Sequence, residues 1–515
     1  MKGRIIAWLI IGIIGIPLLL FFGTALILFL APGFELFGVR YVTKGIVDFK
    51  ETKIVDNFRG EIYINTYDVP VVVEYAPIPN VQVTFRQEFV GFTTTKAKTP
   101  DLRVSIDDAG NAIISTVEIQ KFIFASKLED NYYFTILVPD AGKNIHVKAE
   151  TSSVTFQGSN GYAPRVGIES QGKLSVKNQL KVGTLNYTTN SDVDLTANLQ
   201  LTNATIKTGN KYISIKNAVD GDLNLTNTSG NISFNQCNNL TVSTSSGVVK
   251  SSVSNGAIVK GKAKITTRSG SINLNKVEGT ADKSVITTKT GAVNIGSIHD
   301  LKIESSRGDI NIVQVRNIEI EGGAGDISIK GVSGSAKINT TNGKVVLGEN
   351  KDGGGSIYNP TVNTTTGKIY AYNVVGDKVY LKSTNNLVYV KNTKGLGSDN
   401  FYLHAGRELT AKNLEGKVEA YANGEVNLHF QSLTENVKVS VGAKCRKVKL
   451  DAKCKVYSEV NYNIKSTKNK VIKLYAEDSN VVTKNGSLKS TNLVAAPTIT
   501  ITGAYQETYL YLKKT

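Results

Sequence analysis

The chain runs to 515 residues, 41% hydrophobic but only 8% aromatic, with 47 glycines, 10 prolines and 3 cysteines. A core must then be built from Val, Ile and Leu amid Ser, Thr, Asn and Gly. That composition of strands and tight turns excludes a mainly helical body, a proline-rich spacer and a disulfide framework. The formal charge of +17 suits an anionic partner, yet the basic residues are spread thinly and no groove-entering helix or base-stacking motif accompanies them, so nucleic acid is not an expected partner.

Lys2 and Arg4 precede an apolar run over residues 5–31, longer than the ~20 residues that span a bilayer. The run ends Phe29-Leu30-Ala31-Pro32, a poor cleavage site, so the expectation is an uncleaved single-pass membrane anchor. The positive start predicts an amino terminus inside and the bulk of the chain extracytoplasmic, at the cell membrane, although Arg40 and Lys44 follow the span and pull the other way. Residues 1–45 are read as this anchor and its juxtamembrane segment.

Residues 46–150 alternate with period two, as in Glu61-Ile62-Tyr63-Ile64-Asn65, Val81-Gln82-Val83-Thr84-Phe85, Leu102-Arg103-Val104-Ser105-Ile106 and Ile145-His146-Val147-Lys148-Ala149. Turns are predicted at Asp107–Asn111 and Pro139–Lys143. This is an all-β lead-in whose aromatics, Phe85 and Phe134 among them, are expected to fill a core. A stacked array needs such a cap to cover its unpaired strand edge.

Over residues 151–430 one phrase recurs: polar, polar, Gly, any residue, apolar, any residue, apolar. Clear copies are Gly270-Ser271-Ile272-Asn273-Leu274, Gly291-Ala292-Val293-Asn294-Ile295, Gly308-Asp309-Ile310-Asn311-Ile312 and Gly325-Asp326-Ile327-Ser328-Ile329. Steps between neighbours are roughly 17–24 residues, the range of stacked repeats. Each copy is one turn and one strand, too small to bury its own apolar face, so the fold class predicted is an all-β solenoid (β-helix). The glycine is expected at positive φ, with asparagine as its substitute, and the two apolar residues point inward. The slot between them points outward. In order it reads Asp194, Ser214, Ser233, Lys250, Asn273, Asn294, Asn311, Ser328, Val346, Tyr370, Tyr389, Leu409 and Asn427. The three consecutive asparagines could stack as an amide ladder. Val346, Tyr370 and Tyr389 form a candidate ligand-contact strip, suited to a polysaccharide or another envelope protein.

Residues 431–515 are degenerate windings ending in a basic cap. Lys444, Arg446, Lys447, Lys449, Lys453 and Lys455 form a candidate anion-contact cluster, which would suit an anionic cell-wall polymer. The same charges also read as an edge that discourages end-to-end association.

The repeat phrase, taken with the stretch from Tyr132 through Thr135-Ile136-Leu137-Val138-Pro139 to Gly142, resembles the bacterial "putative adhesin" β-solenoid family of unknown function. The similarity covers about residues 46–430. It implies a membrane-anchored cell-envelope solenoid and offers no catalytic residues to carry over.

The chain gives little reason to expect chemistry. Asp309 and Asp326 share one slot in successive windings, directly after the turn glycine, where turn stabilisation is the expected role. Glu319 and Glu321 share a strand face, but no histidine or arginine arrangement supports a reaction. His146, His299, His404 and His429 are scattered, and no phosphate loop, nucleophile elbow or zinc motif occurs. Cys237, Cys445 and Cys454 cannot all pair, and a Cys445–Cys454 bridge stays open. No catalytic residue, cofactor or metal is predicted. The expected function is a non-enzymatic, adhesin-like scaffold or surface-binding protein, with a carbohydrate-active β-helix enzyme or a self-assembling envelope solenoid as alternatives.

Overall fold

The computed structural model describes residues 11–31, 35–36, 39–42, 49–67, 69–87, 89–94, 102–116, 124–127, 133–140, 142–158, 161–196, 198–252, 259–279, 282–350, 354–396, 401–454, 460–466, 471–476, 479–485, 487–489 and 496–514. Apart from the apolar amino-terminal segment, the regular structure is β, an all-β solenoid of about 15 turns. The chain divides into two compact units, Met1–Val219 and Asp220–Thr515.

A π turn, Ile11–Gly15, leads into a 15-residue α-helix, Ile16–Leu30. Leu19, Leu20, Phe21, Phe22 and Ile27 on it are 63–76% exposed. No helix among the described residues is long and apolar enough to cross a membrane. At 1.5 Å per residue the α-helical part measures roughly 22 Å, against about 30 Å of bilayer hydrocarbon. The expected span starts at Ile5, and residues 5–10 lie outside the described ones.

In the first unit the parallel ladder begins before the repeat phrase does. Ile62–Thr66 pairs in parallel with Ile145–Ala149, which continues through Gly161–Ser170 and Leu180–Thr189 to Leu199–Thr208. Their register stacks Ile64, Val147, Ile168, Tyr187 and Ile206 into one inward column, each at most 2% exposed. A second ladder joins Val71–Ala76 in parallel to Tyr133–Pro139 and Val154–Gly158. Antiparallel pieces are woven between these windings: Val81–Gln87 lies between Phe49–Val55 and Tyr133–Pro139, and Leu102–Ile106 folds back on Ala112–Thr116. Phe85 and Phe134 meet edge to face in this core, 6.0 Å apart. Among the other lead-in aromatics, the side chains of Phe89, Phe92, Phe122, Phe124, Tyr132 and Tyr133 lie outside the described residues.

The second unit shows why the phrase contains glycine, and the reason differs from the expected one. Of the phrase glycines only Gly343 has positive φ, at 96°. Gly247, Gly270, Gly291, Gly308, Gly325, Gly343 and Gly367 instead form a column in which a Cβ on each would collide with the carbonyl oxygen of the glycine one winding earlier. Close approach of backbone to backbone, not left-handed geometry, selects the residue. A hydroxyl row runs beside it. Thr244, Thr267, Thr288, Ser305 and Thr364 are buried, and each accepts a hydrogen bond of 2.9–3.2 Å from the N–H of the glycine three residues on. Asparagine does take the left-handed conformation, but inside the strands Ile369–Gly376, Val388–Gly395 and Leu409–Glu415, after the apolar pair and not before it. Asn373, Asn392 and Asn413 have φ of 54°, 59° and 55°. They pass a ladder of amide hydrogen bonds, Asn392 Nδ2 to Asn373 Oδ1 at 3.0 Å and Asn413 Nδ2 to Asn392 Oδ1 at 2.8 Å.

The carboxy-terminal end departs from sequential stacking. Val437–Val441 and Lys447–Cys454 form one winding, and Asn461–Ser466 with Val471–Ala476 form another. These two are not neighbours. The last strands of the chain, Thr498–Gly503 and Glu507–Lys514, lie between them and pair in parallel with both. Ile499, Ile501, Tyr505, Leu510 and Leu512 of this inserted winding are at most 2% exposed. Ser479–Asn485 and Ser487–Lys489 then close the stack by antiparallel pairing.

Candidate functional site

The outward slot runs through the second unit in register. Asn294 Nδ2 donates to Asn273 Oδ1 at 2.8 Å and Asn311 Nδ2 to Asn294 Oδ1 at 3.0 Å, so the predicted amide ladder forms. An open concavity of about 280 Å³ lies along it, lined by Asn273, Asn294, Asn311, Ser328 and Lys330.

Further on, Val346 pairs with Tyr370 and Tyr370 with Tyr389, placing the strip on consecutive windings. The Tyr370 and Tyr389 rings are 6.2 Å apart, tilted by 42°. Sequence reasoning missed Tyr372. It shares the face of Tyr370 by simple alternation, and its ring is 5.9 Å from that of Tyr389 at 53°. Lys412 Nζ stands 6.0 Å from the centre of the Tyr389 ring. Burial, then the two neighbouring tyrosines, push the Tyr372 hydroxyl above its usual range. The rings are splayed, so no parallel neighbour covers their faces. One residue assigned to the slot is wrong: Leu409 is fully buried and pairs with Val388, and the outward neighbour of Tyr389 is Thr410.

A second aromatic row lies on the adjacent ladder. Tyr380 stacks on Tyr402 at 4.7 Å and His404 on Tyr421 at 4.5 Å. Burial, then Lys382, holds the His404 imidazolium below its ordinary range. Here ring covers ring, in contrast to the splayed strip.

Within the basic cluster, Lys444, Arg446, Lys447 and Lys453 are exposed and Lys449 is half-buried, while Lys455 lies outside the described residues. Lys447 and Lys449 are placed over tyrosine rings of the inserted winding, Tyr509 at 4.9 Å and Tyr511 at 5.3 Å. Cys445 and Cys237 are buried and not disulfide-bonded, so the Cys445–Cys454 bridge is absent. Burial pushes the Cys237 thiol up to about 12.

The candidate carboxylates serve the architecture. Asp309 Oδ1 accepts from the Asp326 N–H at 2.9 Å, and Asp326 Oδ1 from the Lys344 N–H at 2.7 Å, each tying one winding to the next. Glu319 is held by Lys283 at 2.7 Å and Lys337 at 3.0 Å, which brings its carboxyl down to about 2. Glu321 accepts from Asn339 Nδ2 at 2.8 Å. In the first unit His146 stacks on Tyr63 at 4.7 Å, with Nε2 2.7 Å from Glu61 Oε2. The Asn144 amide, then Tyr63, lower the Glu61 carboxyl below its ordinary range. No group of three or more His, Cys, Asp or Glu able to hold a metal occurs among the described residues.

The family model described as Toastrack DUF4097 matches residues 133–314. No curated protein matches. Two solved structures match at low identity. One, titled a "putative cell adhesion protein" from Clostridium sporogenes, is 13% identical, with 55% of this chain and 99% of that one covered and a TM-score of 0.20. The other, titled a "putative adhesin" from Parabacteroides merdae, is 12% identical, with 72% and 95% covered and a TM-score of 0.17.

Proposed function

We propose that this chain is a non-enzymatic, adhesin-like scaffold of the cell envelope, anchored by its amino-terminal apolar segment, with the solenoid extracytoplasmic. The observation that carries the binding role is the splayed cluster of Tyr370, Tyr372 and Tyr389 on consecutive windings, with Lys412 beside it. Half-buried rings that do not stack face to face on one another are a contact surface that sugar rings or another protein's apolar side chains use. The anchor rests on a helix that is apolar all round and exposed, whose Thr24 hydroxyl is satisfied by the Leu20 carbonyl at 2.6 Å.

The test is binding of the purified full chain, in detergent micelles, to cell-wall polysaccharide. The expected result is a loss of about tenfold, ~1.4 kcal/mol, in the Tyr370→Ala, Tyr389→Ala double variant. Unchanged binding removes the strip from the function.

The enzyme reading retains one foothold. Glu150 and Glu169 line an open concavity of about 300 Å³ with Lys148. Hydrolysis or lyase cleavage of a polysaccharide by the wild type, abolished in Glu150→Gln or Glu169→Gln, would establish it. End-to-end assembly is disfavoured by the antiparallel strands that cover the last parallel edge.

A further inference from the structure

Several outward lysines of the second unit meet carboxylates: Lys262 with Asp282 at 2.8 Å, Lys276 with Glu278 at 2.6 Å, Lys302 with Glu304 at 2.8 Å and Lys438 with Glu419 at 3.1 Å. On the carboxy-terminal face three lysines meet tyrosine rings instead. Lys447 and Lys473 stand over the Tyr509 ring at 4.9 and 5.6 Å, from the two strands that flank it, and Lys449 stands over Tyr511 at 5.3 Å. Among the described residues none of the three lysines has a carboxylate in ion-pair contact. Nearby acids are already engaged: Asp451 holds Lys513 at 3.2 Å, and Glu507 accepts from the Tyr509 hydroxyl at 2.9 Å. Tyr475 stacks on Tyr511 at 4.5 Å and 8°, which braces the row.

We propose that this face, made of Lys447, Lys449, Lys473, Tyr475, Tyr509 and Tyr511, is a binding site for a linear anionic polysaccharide, separate from the Tyr370 strip. A lysine over a ring keeps its charge, loses part of its freedom and presents the ammonium in a fixed place, so less entropy is lost when an anion arrives. The tyrosine hydroxyls and the lysine donors suit sugar hydroxyls and carboxylates together. Single-stranded nucleic acid is the weaker fit. It binds by stacking bases on open aromatic faces, and here the rings are covered by lysines and by one another. The site also has an assembly condition. Its lysines come from Lys447–Cys454 and Val471–Ala476, and two of its rings come from the Glu507–Lys514 strand inserted between them. It exists only when the chain's last winding is in place.

The experiment uses the full chain in detergent micelles and three probes: polygalacturonate, neutral dextran and an oligothymidylate. The expected result is salt-sensitive binding of polygalacturonate, weakened at least tenfold in the Lys447→Gln, Lys449→Gln, Lys473→Gln variant, with any dextran binding left unchanged by those substitutions. The Tyr370→Ala, Tyr389→Ala variant should bind polygalacturonate as the wild type does, which separates failure of this site from failure of the strip. All three lysines are on the surface, so an unchanged thermal midpoint in the glutamine variant confirms that folding is intact. Equal binding by that variant, no polygalacturonate binding at low salt, or tighter binding of the oligonucleotide would overturn the proposal.

Discussion

Two stretches of the second unit solve the same problem in opposite ways. From Thr244 to Gly367 each winding rests on the one just made, and a glycine column with a hydroxyl row fixes the spacing. From Val437 onward the chain leaves a winding vacant, builds beyond it, turns back, and fills the gap with its own last residues. The first stretch is stabilised by contacts between near neighbours in sequence. The second depends on one long-range insertion, whose loop closure must come late. The regular stretch should therefore tolerate local damage by local loss, whereas the end should fail as a unit.

The largest expected effect follows from removing residues 496–515. Five large buried side chains leave with them, worth on the order of 10 kcal/mol at ~2 kcal/mol each. Hydrogen exchange should report lost protection over residues 437–476 and retained protection over residues 244–367. Loss spreading evenly through both stretches would erase the contrast between them.

Within the regular stretch, Gly291→Ala places a methyl against the Gly270 carbonyl and the Thr288 hydroxyl. Overpacking against backbone should destabilise by about 2–3 kcal/mol in a denaturant melt. Gly322→Ala is the control, because its nearest heavy atom, the Thr340 hydroxyl, is 3.4 Å away, an ordinary van der Waals contact. Equal costs at the two sites would show that the column is not what selects glycine.

Thr288→Val tests the hydroxyl row. It leaves the buried Gly291 N–H without its 3.0 Å acceptor and should cost about 1–2 kcal/mol, with little effect on the amide ladder one strand away.

The smallest effect is electrostatic. The Glu319 carboxyl titrates at about 2 against an ordinary 4.5, because Lys283 and Lys337 favour its charged form. A depressed folded value means that the two ion pairs contribute fully above about pH 4.5 and that the contribution fades as pH falls through 2. The stability difference between wild type and Glu319→Gln should be flat from pH 7 to 5, shrink below that, and diminish with salt, since the pairs are near the surface. A difference that grows on acidification would contradict this sign.

How much of this was legible in the chain varies by region, for physical reasons. The phrase spacing and the strict alternation carried the inward columns and the Asn273, Asn294, Asn311 ladder, because parallel in-register stacking turns a sequence period into a spatial column. At Gly406 the same logic slipped by one. An extra residue separates the glycine from the first inward side chain, and a one-residue shift exchanges the two faces of a strand, so Leu409 faces the core. The serine or threonine three residues before most of the stacked glycines was present in the sequence and unread, although Thr244, Thr267, Thr288, Ser305 and Thr364 repeat it. The glycines themselves were assigned to the wrong cause, since collision with a neighbouring winding is invisible until that neighbour is in place. Tyr372 needed only alternation from Tyr370. The partners of Lys447 and Lys449 could not be read at all, because they sit some sixty residues away on a strand that joins out of order.

The in-register stack itself is best tested by cysteine pairing. With Cys237→Ala, Cys445→Ala and Cys454→Ala removing the native thiols, one variant carries Asn294→Cys with Asn311→Cys, and another Asn294→Cys with Ser328→Cys. Neighbouring parallel strands lie ~4.8 Å apart, within disulfide reach, and strands two windings apart do not. Under mild oxidation the first pair should bridge and the second should not. Bridging of the second pair in preference to the first would contradict the winding-on-winding register on which the account depends.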